Sequence, residues 1–112
     1  MELLTKQLKT RFAKVGRQEG VEDPLVIAKF FAPSGEATWF ATEYYPEVNQ
    51  CFGYVQGLSP YPEDDEWGYF SLDELKAVRV PPFNLPIERD LHWTEGPFSQ
   101  VVEKRKRFFR GT

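Results

Sequence analysis

Leu4, Leu8, Phe12 and Val15 recur at spacings of three and four, the period that stacks side chains on one face of a helix. They predict an amphipathic helix from about Thr5 to Val15, with Thr5 as N-cap and Gly16 as stop. The polar run 17–23, with Gly20 inside it and Pro24 after it, predicts a loop. From Leu25 to Phe31 the period changes. Leu25, Ile27 and Phe31 alternate with Val26, Ala28 and Phe30, so both faces of a strand would be apolar and it should lie centrally, covered on each side. Pro33-Ser34-Gly35 is turn chemistry and makes Ala37 to Tyr45, rich in Thr and aromatics, the second arm of a hairpin. Cys51 to Leu58 gives a third strand, with Gly53 and Gly57 on one face where a ring or a helix can approach closely.

The stretch 59–66 holds Pro60, Pro62 and four consecutive acids, and predicts a surface loop. Trp67 to Phe70 is a short strand. It leads into Ser71-Leu72-Asp73-Glu74, a capping box in which Ser71 and Glu74 satisfy each other's amides, and the helix it opens should end at Pro81-Pro82. Leu85 to Trp93 predicts a last strand with Ile87, Arg89, Leu91 and Trp93 on one side and Glu88, Asp90 and His92 on the other. Ser99 to Phe109 predicts a terminal helix capped by Ser99. The expected fold class is α+β: an antiparallel meander of about four to five strands with N-terminal, middle and C-terminal helices packed on it, in one domain spanning 1–112.

Composition narrows the class more than the function. The chain has 112 residues, 41% hydrophobic and 28% charged, which suits one globular domain with a real core. Aromatics reach 16%, a surplus that core-building explains unless some rings prove exposed. One cysteine excludes an internal disulfide and fits a reducing, cytoplasmic setting. No apolar run approaches the length of about eighteen residues needed to cross a membrane, and no signal pattern opens the chain. A net charge of −3 gives no global pull on nucleic acid.

The charge is unevenly placed, and this brings candidate chemistry. Glu63-Asp64-Asp65-Glu66 forms an acidic loop, and Lys104, Arg105, Lys106, Arg107 and Arg110 form a basic C-terminal tail over 99–112, interrupted by Phe108 and Phe109. The tail can engage phosphate, with rings to stack on bases, or it can be a helix end with charges outward. Glu88, Asp90 and His92 share a strand face and are raw material for acid–base or metal chemistry, set against the simpler view of a solvated face. Cys51 would need His92, the one histidine, as its base. The acidic loop lacks the alternating oxygens and glycine of a calcium loop, and no phosphate loop is present, so no cofactor is expected.

These segments resemble the bacterial DUF2958 family. The resemblance rests on LLTK at Leu3 to Lys6, KFF at Lys29 to Phe31, TWFATE at Thr38 to Glu43, FGYVQG at Phe52 to Gly57, GYFSLDEL at Gly68 to Leu75 and LPIERDLHW at Leu85 to Trp93. It implies a small bacterial protein of a kind often carried by mobile elements, and it brings no catalytic residues. The tail from Gln100 lies outside these motifs, which makes its basic character a feature of this chain. The expected function is a non-enzymatic protein-interaction module, working through Trp39, Tyr44, Tyr45 and Trp67 with Asp64 and Asp65 alongside. The alternatives are a nucleic-acid-binding accessory protein using the tail and a small enzyme built on Glu88, Asp90 and His92.

Overall fold

A computed structural model describes residues 2–106. Helix α1 (Lys6–Val15) follows the three-and-four spacing. The Thr5 side chain accepts from the Leu8 amide at 3.1 Å, and Gly16 closes the helix at a positive φ of 73°. The chain then runs through β1 (Leu25–Val26), β2 (Ala28–Phe31), β3 (Thr38–Tyr45), β4 (Gln50–Gln56) and β5 (Glu66–Ser71). Next come α2 (Leu72–Ala77), β6 (Arg79–Val80), β7 (Leu85–Pro86), β8 (Glu88–Arg89), β9 (Gly96–Pro97) and α3 (Phe98–Val101). The main sheet is antiparallel with strand order β5-β4-β3-β2-β8, and β1-β9 and β6-β7 are small two-stranded ribbons. The protein is α+β, and its meander core is the one the alternation predicts.

Two cores lie on opposite faces of this sheet. On one face, Phe30, Trp39, Ala41 and Cys51 pack with Phe12, Leu72, Leu75 and Ile87. On the other, Phe40 and Tyr54 pack with Val26 of β1, with Trp93 from the segment after β8, and with Phe98, Val101 and Val102 from a C-terminal strap of β9, α3 and the residues after it. The apolar character of both faces of 25–31 follows from this placement between two cores. It is not one strand, however. Beside Ile27, whose amide bonds the Ala41 carbonyl at 2.9 Å, pairing passes from β9 to β3; Val26 serves one core, and Leu25, Ile27, Ala28 and Phe30 serve the other.

Other expectations change for local reasons. Gly53 admits a neighbouring strand rather than a ring: a Cβ there would sit 1.9 Å from the Phe40 carbonyl oxygen. Gly57 lies past the strand at φ 81°. Ser71 caps α2 by accepting from the Glu74 amide at 3.1 Å, but the helix ends at Ala77, before the prolines, because Arg79–Val80 pairs with Leu85–Pro86. The single strand expected over 85–93 is instead two, β7 beside β6 and β8 beside β2, and the second stops at Arg89, where Asp90 bends the chain by accepting from the His92 amide at 2.9 Å. Leu91 is consequently exposed. Of the terminal helix expected over 99–109, the described residues form only α3, and 107–109 lie outside them. Ser99 does not cap it, because its amide and hydroxyl both donate to Asp23.

Candidate functional site

One residue in β3 decides which rings meet. The register between β3 and β4 shifts at Thr42, a bulge that places two β3 residues against one partner and reverses the alternation beyond it. Before the bulge Trp39 faces the helix-covered core, where it is buried. After it, Tyr44 takes that same face, against Phe12 and with its hydroxyl donating to Asn49, while Tyr45 turns to the other. The four rings expected to form one surface are split between the two faces, and the bulge decides which tyrosine joins which tryptophan. Trp39 and Tyr44 belong to the core side, and Tyr45 and Trp67 to the opposite side.

That opposite face is covered only in part. The C-terminal strap closes over Phe40 and Tyr54 and stops at Trp67. Beyond it the rings form a continuous shelf. Phe52 stacks on Trp67 at 6.0 Å and meets Tyr69 edge-on at 4.9 Å, and Tyr69 lies 6.0 Å from Tyr45. Tyr69 is 60% exposed and Trp67 37%. Opposite them, the loop 17–24 forms the far wall of a groove of about 410 Å³, with Glu19 and Glu22 on its rim. Phe52 and Tyr69 escape a search by sequence for exposed rings, although their positions two residues from Tyr54 and Trp67 carry the signal.

The loop is fixed by buried polar groups. The Gln18 side chain donates to the carbonyls of Leu25 (2.9 Å) and Thr42 (2.8 Å) and accepts from the Leu25 amide (2.7 Å). The buried Glu43 carboxylate accepts from the Gln18 amide and from the Tyr45 hydroxyl. That hydrogen bond to Glu43, followed by burial, raises the Tyr45 pKa and keeps the phenol neutral. Arg17 lies 5.8 Å from the centre of the Tyr45 ring. These contacts make the groove a preformed concavity with an acidic, amphipathic lining.

The acidic loop and the basic tail, separate features in the sequence, meet. Arg105 donates to Asp65 from Nε (2.8 Å) and Nη2 (2.6 Å), and to the carbonyls of Ser59 and Tyr61. Asp65 also accepts from the Gly57 amide, its side chain is 2% exposed, and hydrogen bonding from Arg105 holds its carboxyl below the usual range. Asp65 is thus an anchor inside the fold, and Arg105 is committed to it rather than to a phosphate. Asp64 accepts from the Ser59 hydroxyl. Lys104 lies over the Tyr54 and Phe98 rings, Lys106 is exposed, and Arg107 and Arg110 lie outside the described residues.

Glu88, Asp90 and His92 are not assembled. The bend at Asp90 breaks their common face, Asp90 pairs with Lys29 at 3.8 Å, and His92 is exposed. Cys51 is buried, and burial pushes its thiol up to about 12, the opposite of an activated nucleophile. Among the described residues no group of His, Cys, Asp and Glu is arranged to hold a metal, and no helix is long and apolar enough to cross a membrane.

A family model described as a protein of unknown function (DUF2958) matches residues 3–107, nearly the whole chain. The match includes Lys104 to Arg107, so the first part of the basic tail lies within the matched region. No curated protein and no solved structure matches.

Proposed function

This chain belongs to the DUF2958 family, and we propose that it is a non-enzymatic interaction module that binds another protein in the groove of Tyr45, Phe52, Trp67 and Tyr69. One observation carries the proposal: on a sheet face otherwise sealed by the C-terminal strap, a contiguous aromatic shelf is left open beside a loop that buried hydrogen bonds hold in place. Exposed rings grouped in a concavity with a polar rim are the composition of a recognition patch, where single scattered apolar residues are not. Rings held on paired strands also lose little freedom on binding, so their area converts efficiently into affinity. An accessory role in a mobile element, modulating a host or element protein, is compatible with such a surface.

The test is affinity capture from cell extract with the full chain, beside full-length Trp67→Ala and Tyr69→Ala variants that unfold at the parent's temperature. A protein retained by the parent and lost by both variants is the expected result. Equal recovery by all three, or recovery of nucleic acid alone, overturns the proposal. The latter result would favour phosphate contacts from Lys104 and Lys106 with base stacking on the same rings.

A further inference from the structure

Trp67 and Tyr69 stand on β5, and β5 is an outer strand of the main sheet. It pairs with β4 on one side, and along its other side the backbone has no strand partner among the described residues. The two edges of the sheet are treated differently. At the far edge, β8 has only two residues, both charged, and the Arg89 guanidinium donates to the carbonyls of Glu2 and Leu3, tying the N-terminal segment there. β5 has six residues, no proline, no lysine and no bulge, and Glu66 is its one charge. Natural sheets protect long edges with such devices, and an edge lacking them is suited to receive another strand.

Charge says what kind of strand. Asp64 and Glu66 flank the start of β5 and Asp73 and Glu74 its end; all four are exposed, and none is ion-paired among the described residues. A second copy paired antiparallel would bring Asp73 and Glu74 of one protomer toward Asp64 and Glu66 of the other, and like charges so placed destabilise a pairing. A basic segment is attracted at both ends. The rings agree. Lys9 lies over Tyr44, Arg17 over Tyr45, Lys29 over Phe40 and Trp93, and Lys104 over Tyr54 and Phe98, whereas Trp67 and Tyr69 carry no cation among the described residues. Side chains of an added strand alternate, so every second one would stand on the Trp67 and Tyr69 face.

Resting on the aromatic-groove proposal, we infer that the partner presents an extended basic segment that adds to β5 as a further strand, with alternate Lys or Arg side chains over Trp67 and Tyr69. The test titrates the isotope-labelled full chain with an extended peptide alternating Lys and Val, with its Glu-for-Lys counterpart, and with versions N-methylated at either alternate set of peptide groups. The Lys peptide should slow hydrogen exchange of β5 amides and weaken as salt rises. One of the two N-methylated sets should lose affinity by about tenfold or more, since it cannot pair with the edge. Unchanged binding by both N-methylated sets overturns strand addition, while a loss with Trp67→Ala in that same titration leaves the groove standing. Slowed β5 exchange with full affinity in Trp67→Ala and Tyr69→Ala does the opposite, sinking the groove and keeping the edge. Equal binding of the Glu peptide, or no response of β5 to the Lys peptide, overturns the basic assignment. A full-length Arg107→Gln/Arg110→Gln variant that binds the Lys peptide about tenfold tighter than the parent would make the chain's own tail the occupant and overturn an external one.

Discussion

Arg105 carries more structure than its place in a basic run suggests. Its guanidinium bonds a carboxylate that is nearly out of water and two loop carbonyls, and it joins the strap to the acidic loop across forty residues. Removing it leaves the Asp65 charge buried with the Gly57 amide as its remaining backbone donor. Arg105→Ala should therefore cost about 3 kcal/mol, the lower end for breaking a buried pair, because Arg105 keeps some contact with water. Asp65→Asn, which retains an acceptor, should cost about 1–2 kcal/mol. Urea unfolding of both and of the double variant checks this, and the double should lose less than the sum because the same contact is removed twice. The sequence showed both charged runs plainly. It did not show that they meet, since spacing along a chain says nothing of pairing across it.

At the level of elements, the bulge at Thr42 is the decisive feature. Alternation correctly identified β3, β4 and β5, yet it assigns faces only while the register holds. One extra residue exchanges Tyr44 and Tyr45 between the two sides, which brings Tyr44 to the side of Trp39 and Tyr45 to the side of Trp67. The loop 17–24 depends on that bulge, because the Thr42 carbonyl it frees accepts from Gln18. Gln18→Ala should consequently act on the groove more than on the core. It should lose about 2–3 kcal/mol overall, from several buried hydrogen bonds that each contribute about 1. It should also raise hydrogen exchange across 17–24 while leaving β4 protected, a pattern mass spectrometry can resolve. Uniform loss of protection would mean that Gln18 supports the fold as a whole.

For the whole molecule, the C-terminal third is fastened by carboxylates. Asp23 accepts from the amide and hydroxyl of Ser99, Asp65 from Arg105, and Glu95 from Arg11 in a two-pronged pair as close as 2.5 Å. These hydrogen bonds lower the pKa of all three acids in the folded state. The sign follows: a carboxyl depressed by folding adds stability fully above its unfolded pKa, about 4, and loses it as pH falls through the folded value. Acidification below about pH 4 should thus release the strap, with exchange rising at 95–102 before it rises in β3 and β4. Simultaneous loss everywhere would contradict this order. What the sequence determined alone is the local structure: α1 and its caps, the β2–β3 hairpin, the strands of the meander and the Ser71 cap of α2. Those depend on side-chain period and on hydrogen bonds within a few residues. Tertiary structure alone decided that 25–31 divides between two cores, that Arg105 reaches Asp65, and that the strap halts at Trp67 and leaves the shelf open. Period tells which side chains share a face, but the cover a face receives is set by packing between segments far apart in the chain.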